Sequence, residues 1–173
     1  MKYDVSFLRN LHNLPESDDI ITRSVYKMVS PLTGEEYRIL IDFCEGNIYI
    51  IKFYCKRDEK AKNRYNKLTG LNEPRNLVES CINVLDRDFL SKNETASFGF
   101  IASNIPNEPL RNTKRFRFYE IMMSNLIGDA RFVHYKLEEI SAYLLIPKIL
   151  DNHDALLDQY WQMLKEHPLT ISE

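Results

Sequence analysis

Glycine, cysteine and long apolar runs are all scarce in this chain of 173 residues. Only five glycines occur and 44% of the residues are hydrophobic, which excludes low-complexity and disordered sequence classes. The three cysteines, Cys44, Cys55 and Cys81, are odd in number and widely spaced, which argues against a disulfide framework and against a CxxC metal site. We expect all three to be reduced packing residues.

No apolar stretch is long enough to cross a bilayer. The longest, residues 142–147, falls far short of the roughly 20 residues that a membrane-spanning helix needs. The first ten residues, MKYDVSFLRN, carry charges where a secretory signal peptide has an apolar stretch. We therefore expect a cytoplasmic protein with no membrane partner.

Catalytic and metal-binding signatures are missing as well. The four histidines are far apart, and none forms an HxH or HxxxH pair, so we expect no metal site. The chain also lacks the GxSxG sequence of serine hydrolases, the P-loop and the dinucleotide-binding fingerprint. These absences leave a chain whose length fits one hydrophobic core, so we expect a single domain spanning residues 1–173.

The hydrophobic pattern predicts alternating strands and helices. Strands are predicted at residues 23–30, 36–43, 47–55, 96–102, 131–137 and 142–146. Helices are predicted at residues 72–89, 112–127 and 151–166, after a short helix based on the spacing of Phe7, Leu8 and Leu11. Asn72 is the expected N-cap of the first long helix and Gly128 the stop of the second.

Short connections fix how several of these strands pair. The first three strands are joined by links too short for anything but hairpins, so they form an antiparallel meander. The last two strands are close enough to pair as a hairpin, and the final helix is expected to pack back on the sheet. The prediction is an α+β or α/β fold with a mixed, mostly antiparallel central sheet and flanking helices. Its element order is β-β-β-α-β-α-β-β and its core spans about residues 23–147.

Two basic segments stand out although the net charge is only −2. Residues 56–67 contain six Lys or Arg against two acids, and residues 111–117 contain four basic residues and no acid. Cations in the first turn of a helix oppose its dipole, so those at 114–117 indicate an anionic partner near this helix start. A phosphate-bearing small molecule fits that partner, and so does nucleic acid. A solvated charged surface is the alternative.

The helix predicted at 112–127 carries a spacing known from one enzyme family. Asn112 is followed by Tyr119 seven residues later and then by Glu120. Together with the element order, this spacing resembles the GNAT superfamily of N-acetyltransferases. The resemblance covers roughly residues 23–147. It implies a splayed sheet that opens between the strands at 47–55 and 96–102, and transfer of an acetyl group from acetyl-CoA to an amine.

The resemblance also implies roles for individual residues. Tyr119 would be the general acid that protonates the departing thiolate, and Asn112 would contact the pantetheine arm. Arg64, Lys67 and Gly70 of the basic loop, with Arg115, would contact the cofactor phosphates. The alternative for Asn112 is a helix N-cap, and for Tyr119 a place in the apolar stripe of the helix.

The chain departs from the family pattern in the loop at 56–72. GNAT members usually carry spaced glycines there, so that bare backbone N–H groups can wrap a pyrophosphate, whereas this loop has only Gly70. Either side chains bind the phosphate instead, or the site no longer holds CoA. In the second case the chain would be a non-catalytic binding protein that recognises nucleic acid, a nucleotide or a protein partner through its basic face.

Overall fold

A computed structural model describes residues 3–15, 18–65, 67, 73–105 and 107–166. These residues form a mixed α+β fold in which seven strands build one mostly antiparallel sheet. The strands are β1 (Asp4–Leu11), β2 (Ile20–Val29), β3 (Glu36–Cys44), β4 (Ile48–Cys55), β5 (Ser97–Ile101), β6 (Phe132–Leu137) and β7 (Ala142–Pro147). The mixed class predicted from the sequence is confirmed at this level.

The described residues also contain three α-helices. These are α1 (Pro74–Asp88), α2 (Lys114–Leu126) and α3 (His153–Glu166). Gly128 has a left-handed φ of 63° and ends α2, as predicted. The expected N-cap Asn72 lies outside the described residues. None of the helices in the described part of the chain has the length and apolar character needed to cross a membrane.

The sheet has one parallel contact, between β4 and β5. The strand order is β1-β2-β3-β4-β5-β7-β6, and the other neighbouring strands are antiparallel. The parallel contact covers only three residue pairs and ends at Ile50↔Gly99, although β4 continues to Cys55. Beyond Ile50, the edge of β4 that faces β5 has no partner strand among the described residues.

The amino-terminal segment forms a strand, so the helix predicted there is wrong. β1 pairs with β2 along its length, and a bulge at Leu8 interrupts the pairing. The bulge breaks the two-residue alternation and leaves Phe7, Leu8 and Leu11 at a spacing that imitates a helix. Most side chains of β1 are exposed, including Phe7 at 53%, so the strand lacks the buried apolar face that would have revealed it in the sequence.

Alternation along β4 divides the core into two layers. Tyr49 and Ile51 pack in a cluster with α1 and α2, whereas Ile48 and Ile50 pack in a cluster with α3. Successive side chains of a strand point to opposite faces, so α1 and α2 cover one face of the sheet and α3 covers the other. Packing of the last helix against the sheet is therefore confirmed.

Gly99 allows α3 to approach the sheet closely. A Cβ atom at this position would lie 2.5 Å from the Tyr143 carbonyl oxygen and 2.7 Å from the Tyr160 hydroxyl. That hydroxyl is placed to donate to the carbonyl oxygens of Tyr143 and Phe100, each at 3.2 Å. The absence of a side chain at Gly99 therefore lets α3 bond to the backbone of β5 and β7.

We expect the substitution Gly99→Ala to lower the free energy of unfolding by about 3 kcal/mol, near the upper end for overpacking, because the new methyl group meets backbone. Urea denaturation measures the change. Gly34→Ala is the control, since a Cβ there has open space around a φ of +74° and only conformational strain applies, about 1 kcal/mol. Equal losses at both glycines would contradict this account of the α3 contact.

Candidate functional site

A pocket of about 510 Å³ lies where β4 and β5 diverge. Its walls come from β4, the end of β5, α1, α2 and the loop that follows β4. The apolar wall includes Ile51, Phe53, Leu77, Val78, Phe100 and Met123. A concave, mostly apolar site with a few polar groups is the usual form of a small-molecule pocket.

The two basic segments meet at this pocket. Arg64 and Lys67 from the loop and Lys114 and Arg115 from the start of α2 all line it. Asp58 lines the same end and lies 3.2 Å from the Lys67 ammonium. Four cations and one carboxylate therefore surround this end of the pocket, and the excess positive charge favours an anionic ligand.

Arg115 joins the two segments directly. Its guanidinium donates to the carbonyl oxygen of Tyr65 at 2.7 Å and to that of Lys67 at 3.0 Å. These bonds link residues that are about fifty positions apart in the chain. Arg115 therefore positions the loop, in addition to placing a positive charge at the pocket.

Arg64 is held by two tyrosine rings. Its guanidinium carbon lies 5.0 Å from the ring centroids of both Tyr54 and Tyr65, a cation–π arrangement with each ring. One terminal nitrogen donates to the Glu59 carbonyl oxygen at 3.1 Å. The Nε atom is buried and has no hydrogen-bond partner among the described residues. Arg64 thus places a fixed positive charge at the pocket.

The start of α2 is capped by the chain itself. Thr113 is the N-cap, and its hydroxyl accepts a hydrogen bond from the Phe116 amide at 3.1 Å. The Glu108 carboxylate accepts from the Lys114 amide at 2.7 Å and also from the Ile105 amide. The anion expected at this helix terminus is therefore an internal carboxylate, so a ligand anion would bind through the basic side chains.

Asn112 lies beside the pocket without lining it. It has a left-handed φ of 50°, and its amide donates to the Glu138 carbonyl oxygen at 2.8 Å. Thr113, and not Asn112, is the N-cap, so that alternative for Asn112 is wrong. Gly70, which was expected to contact phosphate, lies outside the described residues.

Tyr119 lines the pocket between the diverging strands. Its ring centroid lies 6.3 Å from that of Phe53 on β4 and 5.2 Å from that of Phe100 on β5. Burial raises the pKa of Tyr119 to about 12, although the nearby Arg115 guanidinium lowers it. The hydroxyl is therefore protonated at neutral pH, and no hydrogen-bond partner for it is found among the described residues.

A buried ionic cluster next to the pocket was missed by the sequence analysis. Asp42 is fully buried and accepts hydrogen bonds from Arg23 at 2.6 and 2.9 Å and from Lys52 at 2.7 Å. Burial alone would raise the pKa of Asp42, but the hydrogen bonds and charges of Arg23 and Lys52 hold it below its usual range. The sequence does contain a signal for this cluster. Each of two otherwise apolar segments, ILIDFC and IYIIKFYC, carries a single charged residue.

We expect Arg115→Met to raise hydrogen exchange of the amides at residues 56–65 about tenfold. The variant loses the two charge-assisted hydrogen bonds to the loop, which are partly exposed and together contribute roughly 1.4 kcal/mol. A loss of this size makes local opening of the loop about tenfold more frequent. Mass spectrometry of the exchanged peptide measures the effect. Arg117→Met is the control, because that side chain bonds to Asn112 beside its own helix. Unchanged exchange in Arg115→Met would rule out its positioning role.

We expect Asp42→Asn to destabilise the fold by about 3–5 kcal/mol, since it leaves two buried cations without their carboxylate. In the parent protein, this contribution is present above about pH 4 and is lost as the pH falls through the lowered folded pKa of Asp42. Urea denaturation from pH 7 to pH 2 should therefore show a shallower acid decline in the variant. Glu36→Gln, which removes partly exposed ion pairs with Lys27 and Arg38, should change stability by less than about 1 kcal/mol.

No family model, curated protein or solved structure matches this chain. Within the described residues, no three His, Cys, Asp or Glu side chains lie close enough together to hold a metal ion. What the pocket binds therefore follows from its own side chains and their geometry.

Proposed function

We propose that this chain is a divergent, GNAT-like N-acetyltransferase that transfers an acetyl group from acetyl-CoA to an amine. The observation that carries the proposal is one pocket that joins an unpaired strand edge, a protonated tyrosine and a cluster of cations. Acetyl-CoA carries a matching group for each of these features: amides for the strand edge, a thioester for the tyrosine and phosphates for the cations.

The divergence of β4 from β5 supports this assignment. The GNAT resemblance implies an opening between these two strands, and their pairing stops after three residue pairs. The backbone groups of β4 beyond Ile50 are available on that side to an extended ligand. Amides of a pantetheine arm could pair with such an edge in the way that a peptide adds a strand to a sheet.

The cations that line the pocket suit the phosphates of CoA. Arg64, Lys67, Lys114 and Arg115 supply the charge through side chains, as expected for a loop without spaced glycines. α1 begins at Pro74, which also lines the pocket, so the positive end of the α1 dipole lies near the same place. Both features favour a phosphate group over a neutral one.

Tyr119 is positioned to assist departure of the thiolate. In acetyl transfer, the amine nitrogen attacks the thioester carbon, the C–S bond breaks, and the sulfur leaves with the electron pair. A tyrosine of pKa about 12 gives its proton to a thiolate of ordinary pKa, about 8.5, only against roughly 5 kcal/mol. We therefore assign Tyr119 a hydrogen bond to the developing thiolate, with the amine proton neutralising the sulfur at the end.

Binding without catalysis is the second candidate function. It is favoured by the missing glycines and by the fact that Arg115 already bonds to loop carbonyl oxygens. A non-catalytic descendant would recognise nucleic acid, a nucleotide or a protein partner through the same cations. Loss of binding of a labelled oligonucleotide with rising salt would be its signature.

We expect calorimetric titration to show acetyl-CoA binding, and S-acetylpantetheine, which lacks the nucleotide, to bind at least tenfold more weakly. Tyr119→Phe should keep the affinity for acetyl-CoA and lower turnover with a panel of amines about 100-fold, as measured by thiol release. The control Tyr135→Phe alters a hydroxyl that bonds to His153, away from the pocket lining, and should leave turnover unchanged.

Three results would count against this assignment. Absence of acetyl-CoA binding at millimolar concentration would remove the proposal altogether. Equal affinity for S-acetylpantetheine would remove the role of the cations. Unchanged turnover in Tyr119→Phe would remove the role of the tyrosine alone.

A further inference from the structure

Lys52 is the one charged residue of β4, and it is almost completely buried. Its side chain is 9% exposed, and its ammonium donates a hydrogen bond to the Asp42 carboxylate at 2.7 Å. Asp42 also holds Arg23 through two short contacts, so its oxygens accept three charge-assisted hydrogen bonds in all. The position of the Lys52 ammonium is therefore fixed by a buried carboxylate that is itself held by Arg23.

The Lys52 ammonium can donate further hydrogen bonds besides the one to Asp42. An ammonium carries three N–H donors, and the bond to Asp42 is the single hydrogen bond found for it among the described residues. Leaving buried donors of a charged group unmet is unfavourable, so such groups usually have further acceptors. Because Lys52 lines the pocket, an acceptor can reach it from there.

Lys52 and Tyr119 face the pocket from opposite sides of β4. Phe53 packs toward Tyr119 on the face covered by α2. Lys52, the preceding residue, points to the opposite face, which it shares with Tyr54 and with the loop residue Tyr65 that packs on Tyr54. The pocket includes both because β5 no longer covers this edge of β4. A molecule on the Lys52 side would therefore meet, across the open edge, a thioester held on the Tyr119 side.

We propose that Lys52 binds the carboxylate of the acceptor, so that the acceptor is an amine that carries a carboxylate, as an amino acid does. This inference rests on the proposed acetyltransferase function. The carboxylate stays unchanged while the nitrogen forms the new C–N bond and the C–S bond of the thioester breaks. The proton lost by the nitrogen balances the one gained by the sulfur.

Acetylated products test this assignment better than the free amines do. Their nitrogen is an amide that does not ionise, so the two members of a pair do not differ in the charge on nitrogen. In the presence of CoA, calorimetry compares N-acetyl amino acids with the corresponding N-acetyl amino acid amides, which differ only in the carboxylate. We expect the best-binding acid to bind about 10- to 100-fold more tightly than its amide, the usual effect of one hydrogen bond to a charged group.

Variants show whether Lys52 is the residue responsible. Lys52→Met should abolish the preference for the acid, while Lys52→Arg should keep most of it. Lys27→Met is the matched control, because Lys27 lies in a solvent-accessible ion pair with Glu36 and does not line the pocket. Acetyl-CoA affinity should stay unchanged in Lys52→Met, which distinguishes an acceptor carboxylate from a phosphate of the cofactor.

The outcomes separate this inference from the proposed function. If acetyl-CoA binds but acids and amides bind equally to the parent protein, the carboxylate assignment is overturned and the acetyltransferase proposal stands. If Lys52→Met keeps the preference for acids, another residue holds the carboxylate. If acetyl-CoA itself fails to bind, both are overturned. The comparison on the parent protein decides the carboxylate question even if Lys52→Met does not fold.

Discussion

Parallel pairing between β4 and β5 stops at Ile50 and Gly99, and the geometry of the pocket depends on that stop. β5 continues instead along β7, where α3 bonds to the backbone over Gly99. β4 continues along β3, so the two strands separate while each stays paired on its other side. Tyr119 contacts an aromatic ring of each strand and occupies part of the opening.

An open strand edge gives one pocket access to both faces of the sheet. On one face lie Tyr119 and the apolar side chains of α1 and α2, and on the other lies Lys52 with its buried carboxylate partner. The pocket cations come from both faces, because Arg64 lies against Tyr54 on the face of Lys52, whereas Lys114 and Arg115 belong to α2. In the proposed reaction the thioester would lie on the Tyr119 face and the acceptor on the Lys52 face, and holding two reactants in place is what a two-substrate transfer requires.

Local patterns in the sequence predicted most of the elements, and the short connections predicted the β2-β3-β4 meander and the β6-β7 hairpin, but they did not reveal which side chains meet. The strands and long helices follow from alternation and helical spacing, whereas β1 was mistaken for a helix because of the bulge at Leu8. The pairing of Asp42 with Lys52 depends on the register of β3 and β4, which sequence spacing does not supply. Likewise, the bonds from Arg115 to the loop join distant residues, so only their charge was visible beforehand.

Mapping of coenzyme A binding by amide chemical shifts tests the central claim most directly. If the opening between β4 and β5 is the cofactor site, increasing coenzyme A should shift the amides of residues 51–55, 64–67 and 114–119 together, with one dissociation constant. Shifts restricted to the β1 edge, or none at millimolar ligand, would contradict the claim that this opening is where the protein acts.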